Sequence, residues 1–279
     1  MRIIQSTSEI QRTITQLRQT GKTIGFVPTM GALHQGHLSL IEHAKKESDV
    51  VLVSIFVNPA QFGPKEDFNQ YPRDMQRDTE KCSHAGTDIL FTPSAPDIYP
   101  EGFRTYVSVE GLSEIMCGQA RPGHFRGVAT VVLKLFNIVK PHKAFFGQKD
   151  FQQTVIIKRM VKDLNVNMDI VVLPTVREAD GLAMSSRNQY LSKEDRSAAT
   201  CLYRALKKGR SLFEDGNKDA DKIREIILHT LREEPSVHLE YLAIVHPETL
   251  EEETIAGKGT VIAIAAGIGT TRLIDNIIL

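Results

Sequence analysis

Between Ile24 and about Pro174, short apolar runs rich in β-branched residues alternate with segments of helical periodicity. This alternation is typical of a parallel β-sheet, because parallel strands need crossover connections, which are usually helices. The strands predicted from it are at 24–27, 50–57, 89–91, 106–109, 144–146 and 170–173. The helices predicted between them are at about 37–46, 74–85, 127–139 and 150–164. The pattern therefore predicts an α/β fold for this part of the chain.

After Arg187 the pattern changes. Two charged amphipathic helices are predicted at 192–209 and 219–233, followed by strands at 239–245, 261–266 and 272–274. This order predicts a separate, smaller α+β unit. A chain of 279 residues is long enough for two domains, since single hydrophobic cores stop growing at about 250–300 residues. We predict domains at 1–175 and 176–279.

Charge and cysteine content exclude several classes of protein. The 34 basic and 34 acidic side chains cancel, so no overall field attracts the chain to nucleic acid or to an acidic membrane. The three cysteines form no C-x-x-C pair and fit neither a disulfide framework nor a zinc ribbon. The N-terminus has a helical pattern without the apolar region of a signal peptide, and the longest apolar run is too short to span a bilayer. We expect a cytoplasmic protein without nucleic-acid or membrane partners.

The motif P-T-M-G-A-L-H-Q-G-H, at residues 28–37, directly follows the first strand predicted above. Gly31 and Gly36 permit close approach of the backbone, and the start of the following helix offers N–H groups and a partial positive charge to an anion. His34 and His37 lie three residues apart, so on a first helical turn both imidazoles are able to donate to phosphate oxygens. We predict a phosphate site. Two histidines that only cap the helix are the alternative, and zinc is disfavoured because no cluster supplies a third ligand.

A second polar segment, F-G-Q-K-D at residues 146–150, lies at a strand end and a helix start, where open α/β sheets bind ligands. Lys149 offers a point cation to a phosphate. Asp150 is placed either to accept a hydrogen bond from a ribose hydroxyl or to cap its own helix.

Three loops carry further polar groups. In residues 184–187, Ser185, Ser186 and Arg187 offer two hydroxyls and a guanidinium to a polyphosphate, and a solvated linker is the alternative. The cationic loop R-P-G-H-F-R-G at 121–127 is suited to phosphate binding, to a lid or to a subunit contact, and the sequence does not separate these. The Gly- and Pro-rich residues 62–67 are predicted to form an exposed loop able to close over a site.

Uncharged amides also stand near these motifs. Asn58 and Gln61 follow the longest predicted strand, and Gln153 lies on the helix after Lys149. Amide donors are able to orient a carboxylate nucleophile at a lower cost in reactivity than an arginine. Taken alone, such glutamines are more often surface residues.

The H-x-G-H sequence after a strand resembles the signature of the nucleotidyltransferase superfamily, which includes class I aminoacyl-tRNA synthetases and cytidylyltransferases. Residues 184–187 resemble its second signature, a K-M-S-K-S-like loop, but Ala183 stands at the first lysine position and Arg187 supplies the cation. The blocks PTMGALHQGH, VSIFVNPAQF, RPGHFRGV, FGQKDFQQ, LAMSSRN and RLIDN resemble, more closely, the pantoate–β-alanine ligase family. These blocks extend from residue 28 to residue 276.

This resemblance implies a Rossmann-like parallel sheet that binds nucleotide and pantoate at 1–175, with a lid at 176–279. It implies condensation of pantoate with β-alanine through a pantoyl adenylate, with release of AMP and pyrophosphate. Mg²⁺ is expected with the phosphates of ATP, without a predicted protein ligand, and the family is expected to form homodimers.

The resemblance also implies residue roles. The catalytic residues are His34, His37, Lys149 and Arg187. The ATP-binding residues are Met30, Gly31, His34, Gly36, His37, Gly147, Lys149, Asp150, Val176, Met184, Ser185, Ser186 and Arg187. The residues that bind pantoate or β-alanine are Gln61, Gln153, Asn58 and Met30.

Two other classes of function stay open at this point. A nucleotidylyltransferase that keeps the nucleotide on its product shares the H-x-G-H motif, and amine-dependent release of AMP would exclude it. A noncatalytic nucleotide sensor would be excluded by any production of pyrophosphate.

Overall fold

The computed structural model describes residues 1–64 and 66–279, which divide into two compact units. The first unit contains Met1–Gly147 and Ile156–Pro174, and the second contains Gln148–Val155 and Thr175–Leu279. The predicted fold class is confirmed, because the first unit has a six-stranded parallel sheet and the second has a separate three-stranded antiparallel sheet. The assignment of nucleotide binding to 1–175 and of a lid to 176–279 stays a prediction.

The sheet of the first unit has the strand order β1-β4-β3-β2-β5-β6. Its strands are β1 (Arg2–Ile4), β2 (Ile24–Thr29), β3 (Val50–Ile55), β4 (Ile89–Phe91), β5 (Lys143–Gly147) and β6 (Asp169–Leu173). The chain adds β3 and β4 on one side of β2, and then β5 and β6 on its other side. The carboxyl ends of β2 and β5 therefore flank a topological switch point, where open α/β sheets bind ligands.

Helices lie between these strands in the sequence. They are α1 (Thr7–Gln19), α2 (Gln35–Glu47), α3 (Met75–His84), α4 (Ala95–Ile98), α5 (Cys117–Ala120), α6 (His124–Val139) and α7 (Phe151–Asp163). One buried cluster joins α2 and α3 to the sheet through Val27, Leu33, Leu40, Ile41, Ala44, Val51, Val53, Ile55, Cys82, Leu90 and Phe145. Helix α6 is buried over most of its length, as its nearly continuous apolar sequence predicts.

Three predictions about elements are wrong. Residues 106–109 form no strand, because the Val107 N–H donates to the Thr130 hydroxyl and the Tyr106 ring packs against the Arg126 guanidinium rather than in a sheet. The N-terminal segment is not helical throughout, since β1 pairs with β4 and α1 begins only after its cap, Ser6. The helix predicted at 192–209 is two helices, α8 (Lys193–Ala199) and α9 (Cys201–Glu214).

The second unit packs these two helices and α10 (Ala220–Arg232) around β7 (Val237–Val245), β8 (Val261–Ile268) and β9 (Thr271–Ile278). The strands are antiparallel, and β8 lies between the other two. The core of this unit consists of buried residues that lie between Leu182 and Ile277 in the sequence. No helix among the described residues is long and apolar enough to cross a membrane.

Candidate active site

The loop between β2 and α2 has an unusual backbone that Asp78 stabilises. Gly31 has φ +85° and Ala32 has φ +51°, both in the left-handed region. The N–H groups of Ala32 and Leu33 donate to the two carboxylate oxygens of Asp78 at 2.7 and 2.8 Å. Asp78 is only 3% exposed, and a Cβ atom on Gly31 would lie 3.0 Å from its Oδ2. Two amides of the loop before α2 are therefore used within the protein.

The two histidines of the motif lie side by side at the start of α2. The Gly36 N–H donates to His34 Nδ1 at 3.1 Å, and the His34 N–H donates to His37 Nδ1 at 3.3 Å. The ring centroids are 4.1 Å apart. An imidazole whose Nδ1 accepts a hydrogen bond carries its proton on Nε2 when neutral. Both rings thus cap the helix and also present Nε2 as a donor, so the capping and the functional interpretations are compatible.

A polar turn follows β3, the neighbour of β2. Asn58 is 1% exposed, and its Nδ2 donates to Gln61 Oε1 at 3.0 Å and to the Gly127 carbonyl at 3.2 Å. Its Oδ1 accepts from the Tyr99 hydroxyl at 2.8 Å. Because Gln61 Oε1 accepts from Asn58, its Nε2 points the other way and donates to Met30 Sδ at 3.0 Å. Asn58 therefore positions Gln61. The contacts of both residues with pantoate or β-alanine stay predictions.

Gly127 lets this turn lie directly on α6. A Cβ atom at Gly127 would be 2.1 Å from the Ala60 carbonyl oxygen and 2.7 Å from the Gln61 nitrogen. Only a residue without a side chain permits this approach. The predicted loop at 121–127 thus contributes a packing surface for the residues that follow β3.

The arginines of that loop make contacts within the first unit. Arg121 Nε donates to Glu66 Oε1 at 2.7 Å, and its NH2 donates to Glu66 Oε2 at 2.5 Å. His124 Nδ1 lies 2.8 Å from the Gln61 carbonyl oxygen. Arg126 stacks on the Tyr106 ring at 3.9 Å. Arg121 therefore connects Glu66 to the loop that precedes α6, while Lys65 lies outside the described residues.

Burial by itself would raise the pKa of Glu66. The hydrogen bonds and positive charge of Arg121, together with a backbone hydrogen bond from Gly63 and the charge of His124, outweigh this effect and hold the pKa of that carboxyl below its ordinary value. The Glu66–Arg121 pair is therefore ionised at neutral pH.

The predicted segment at 146–150 begins where β5 ends. A Cβ atom on Gly147 would meet no atom within 4 Å, so the packing of the protein does not require glycine there. Lys149 Nζ lies 3.9 Å from Asp150 Oδ1, and the Asp150 side chain is half exposed. Gln153 is partly buried on the first turn of α7, whereas its neighbour Gln152 is buried.

The second predicted nucleotide loop extends from a short hairpin in the second unit. The Met184 N–H donates to the Val176 carbonyl at 3.0 Å, and Arg177 pairs with Ala183. Ser185 caps the turn that follows, because its hydroxyl accepts from the Arg187 N–H at 3.3 Å. The hairpin and cap thus hold Ser186 and Arg187 in a defined turn.

Two adjacent buried residues of β9, Asp275 and Asn276, contact the hairpin that precedes residues 184–187 and residues 148–149, respectively. Arg177 donates to both carboxylate oxygens of Asp275, at 2.6 and 2.9 Å, and Asn276 contacts Gln148 and Lys149. Burial of the Asp275 carboxyl raises its pKa, and the hydrogen bonds and charge of Arg177 oppose that rise.

The structure thus assembles the predicted site residues within each unit. At the carboxyl edge of the first sheet lie Met30, Gly31, His34, Gly36, His37, Asn58, Gln61 and Gly147. The second unit contains Lys149, Asp150, Gln153, Val176, Met184, Ser185, Ser186 and Arg187. Sequence reasoning missed the supporting roles of Asp78 and Gly127. Only Gly127, the last residue of the motif R-P-G-H-F-R-G, gave any signal, since an acidic residue such as Asp78 on an amphipathic helix is ordinarily solvated.

The chain is similar to known proteins over nearly its whole length. The family model for pantoate-beta-alanine ligase matches residues 2–278. A pantothenate synthetase from Geobacter sulfurreducens is 53% identical over 279 residues, covering 100% of this chain and 99% of the relative. One from Thermotoga petrophila is 52% identical and covers 100% of both chains.

Solved structures agree with this result. The crystal structure of pantothenate synthetase from Thermus thermophilus has a TM-score of 0.95 at 47% identity and covers 99% of each chain. The structure of pantoate-beta-alanine ligase from Francisella tularensis, in complex with beta-gamma ATP and β-alanine, has a TM-score of 0.82 at 38% identity. It covers 100% of this chain and 97% of that chain.

Proposed function

Because the chain belongs to the pantoate–β-alanine ligase family, it is an enzyme that uses ATP to join pantoate to β-alanine, and we propose that the reaction passes through a pantoyl adenylate. A carboxylate oxygen of pantoate bonds to the α-phosphorus of ATP, and the bond from that phosphorus to the bridging oxygen breaks to release pyrophosphate. The amine of β-alanine then bonds to the acyl carbon and loses a proton, and AMP leaves.

The pair of imidazole donors carries this proposal. His34 and His37 stand at the start of α2, beside the topological switch point, and each accepts a backbone N–H at Nδ1. Their Nε2–H groups and the positive end of the helix dipole stabilise the negative charge that develops during phosphoryl transfer. Neutral donors do this without pairing permanently with the substrate carboxylate.

We assign pantoate to the amide side chains. Gln61 is 8% exposed and held by Asn58, so its amide is already oriented for a polar ligand. Met30 lies against Gln61 and offers an apolar contact. Gln153 is assigned a second amide contact to pantoate, and the β-alanine site is assigned to the same set of residues.

We assign the nucleotide to the remaining predicted residues. Lys149 and Arg187 bind phosphate oxygens as cations, with the hydroxyls of Ser185 and Ser186 as further donors. Asp150 accepts from a ribose hydroxyl, which its half-exposed carboxylate permits. Backbone and apolar contacts are assigned to Gly31, Gly36, Gly147, Val176 and Met184. The open space around Gly147 supports close approach of a ligand there.

Mg²⁺ is proposed to enter with ATP and to neutralise phosphate charge. No group of three or more His, Cys, Asp or Glu side chains able to hold a metal occurs among residues 1–64 and 66–279. We propose that the ion is held mainly by phosphate oxygens and water, as is common for Mg²⁺. The resemblance further supports a homodimer that is located in the cytoplasm. It also supports a role of residues 176–279 as a lid. Sedimentation of the purified enzyme tests the dimer.

Isotope transfer tests the proposed intermediate. The enzyme is incubated with ATP, β-alanine and pantoate labelled with ¹⁸O in its carboxyl group, and the AMP is analysed by mass spectrometry. We expect one ¹⁸O atom in the phosphate of AMP, because the carboxylate oxygen remains on phosphorus when AMP leaves. Formation of ADP and labelled phosphate would indicate an acyl phosphate instead, and unlabelled AMP would exclude attack by pantoate at the α-phosphorus.

Omission of β-alanine tests the order of the two steps. With ATP and pantoate alone, we expect pyrophosphate in an amount close to that of the enzyme, and free AMP only after β-alanine is added. A product that keeps its nucleotide after addition of β-alanine would indicate a nucleotidylyltransferase.

A further inference from the structure

The last sequence block, R-L-I-D-N, contains two buried polar residues that the proposed chemistry does not use. Asp275 and Asn276 are 3% and 2% exposed. They are adjacent on β9, so their side chains leave the strand in opposite directions. Each one contacts a different segment of the proposed nucleotide site.

Asn276 makes three side-chain hydrogen bonds to the residues after β5. Its Nδ2 donates to the carbonyl oxygens of Gln148 and Lys149, at 3.0 Å each. Its Oδ1 accepts from Gln148 Nε2 at 3.1 Å. A single side chain therefore fixes two consecutive peptide groups, including the one that carries Lys149.

Asp275 acts on the other segment through Arg177. The guanidinium donates to both carboxylate oxygens of Asp275, to the Asn276 carbonyl at 3.3 Å and to the Gly181 carbonyl at 3.1 Å. It also stacks on the Tyr203 ring at 3.7 Å. Arg177 pairs with Ala183, directly before the loop at 184–187. The two segments are thus anchored at neighbouring positions of one strand.

We propose that Asn276 is a positioning residue for the adenylation step, which it serves by holding the main chain of residues 148–149 and so directing Lys149 toward the phosphates of ATP. This inference rests on the proposed role of Lys149. It requires no contact between Asn276 and any substrate. A displacement of about 1 Å in a catalytic group is enough to slow a reaction about 100-fold.

A double-mutant cycle tests this inference in the full-length enzyme. The variants are Asn276→Ala, Lys149→Ala and the combination, and pyrophosphate release is measured against the concentrations of ATP and of pantoate. We expect Asn276→Ala to lower kcat/KM for ATP by about 10- to 100-fold, with KM for pantoate within about twofold of the original enzyme. In the Lys149→Ala background, we expect Asn276→Ala to cost no more than about twofold, because the residue that it positions is absent.

Two further variants separate positioning from stability. Leu273→Ala, on the same strand, opens a cavity in the core of the second unit and lowers the unfolding temperature, while the hydrogen bonds of Asn276 are kept. We expect it to leave kcat/KM for ATP within about twofold. Asn276→Leu keeps about the size of the side chain and removes its donors without adding a buried charge beside Asp275, so it reproduces the loss in kcat/KM and replaces the alanine variant if that variant does not fold.

The outcomes distinguish this inference from the proposed function. No effect of Lys149→Ala would overturn the role of Lys149, and the inference with it. A large effect of Lys149→Ala with full additivity in the double variant would overturn the inference alone. The inference also fails if the Asn276 variants unfold at a lower temperature yet keep the original kcat/KM for ATP.

Discussion

At the scale of residues, the hydrogen bonds at Nδ1 decide what His34 and His37 are able to do. Each Nδ1 accepts from a backbone N–H, which places the proton of the neutral ring on Nε2. Asp78 meanwhile accepts the N–H groups of Ala32 and Leu33. The motif therefore presents imidazole donors, whereas the backbone N–H groups of Ala32 and Leu33 already donate to Asp78.

We expect His37→Ala to slow pyrophosphate release from ATP and pantoate by about 100-fold or more, the effect of losing one donor that stabilises developing charge. Loss of the contact that caps α2 lowers stability by only about 1 kcal/mol, so the variant stays folded. His43→Ala is the matched control, because His43 lies on the same helix and pairs with Glu47. An unchanged rate in His37→Ala would remove His37 from the mechanism.

We expect the Glu66–Arg121 pair to make stability depend on pH. The pKa of Glu66 is lowered in the folded state, so its contribution is complete above the ordinary pKa and is lost as the pH falls through the lowered value. Glu66→Gln is expected to cost about 1 kcal/mol at pH 7, measured by urea unfolding, and the difference from the original protein is expected to disappear as the pH falls below the lowered pKa of Glu66.

The matched control for this experiment is Glu9→Gln, which removes an exposed pair with Arg2 and leaves stability nearly unchanged. A cost of Glu66→Gln that persisted unchanged at low pH would show that the ion pair is not its source.

At the scale of elements, helix α6 supports the turn that follows β3. Gly127 lies against Ala60 and Gln61, and Asn58 donates to its carbonyl. The orientation of Gln61 thus depends on a helix that begins more than 60 residues later in the sequence. Gly147, at the end of β5, differs from Gly127 because open space surrounds it.

We expect these two glycines to respond in opposite ways to substitution by alanine. Gly127→Ala forces the turn away from α6, which costs about 1–3 kcal/mol and raises KM for pantoate. Gly147→Ala meets no protein atom, so it leaves stability unchanged or slightly raised, while KM for ATP rises about 10-fold. Thermal unfolding and initial rates measure both effects. Destabilisation by Gly147→Ala would contradict a ligand-directed role for that glycine.

At the scale of the whole molecule, the chain has two units with separate cores. The core of the second unit is drawn from residues between Leu182 and Ile277, and a core cluster of the first unit from residues between Val27 and Phe145. A core contained within one continuous stretch is the condition for that stretch to fold alone.

We therefore expect a fragment of residues 176–279 to unfold cooperatively on heating, as followed by circular dichroism. Its stability is expected to be lower than in the intact chain, because Asn276 loses its contacts with Gln148 and Lys149. The variant Ile264→Asp of this fragment, which places a charge in the core, is the unfolded control. A gradual transition in the unsubstituted fragment would contradict the predicted boundary after residue 175.

Much of the fold and part of the site were predictable from local pattern. The periodicity predicted the five strands β2 to β6 and the three strands of the second unit, because short apolar β-branched runs must be buried. It failed at residues 106–109, where the same kind of run packs its aromatic ring on Arg126, and at β1, whose residues were included in the helical pattern of the N-terminal segment.

The sequence by itself determined which family the chain belongs to and predicted which residues carry chemistry, because motif blocks are contiguous and need no three-dimensional neighbours to be recognised. Only the tertiary structure decided which residues support them. Asp78 accepts hydrogen bonds from the loop before α2, Gly127 packs against Gln61, and Asn276 donates to the carbonyl of Lys149. Each of these supports is separated in sequence from its target by more than forty residues. Hydrogen bonds and close contacts over such separations exist only after the chain has folded, so no local pattern records them.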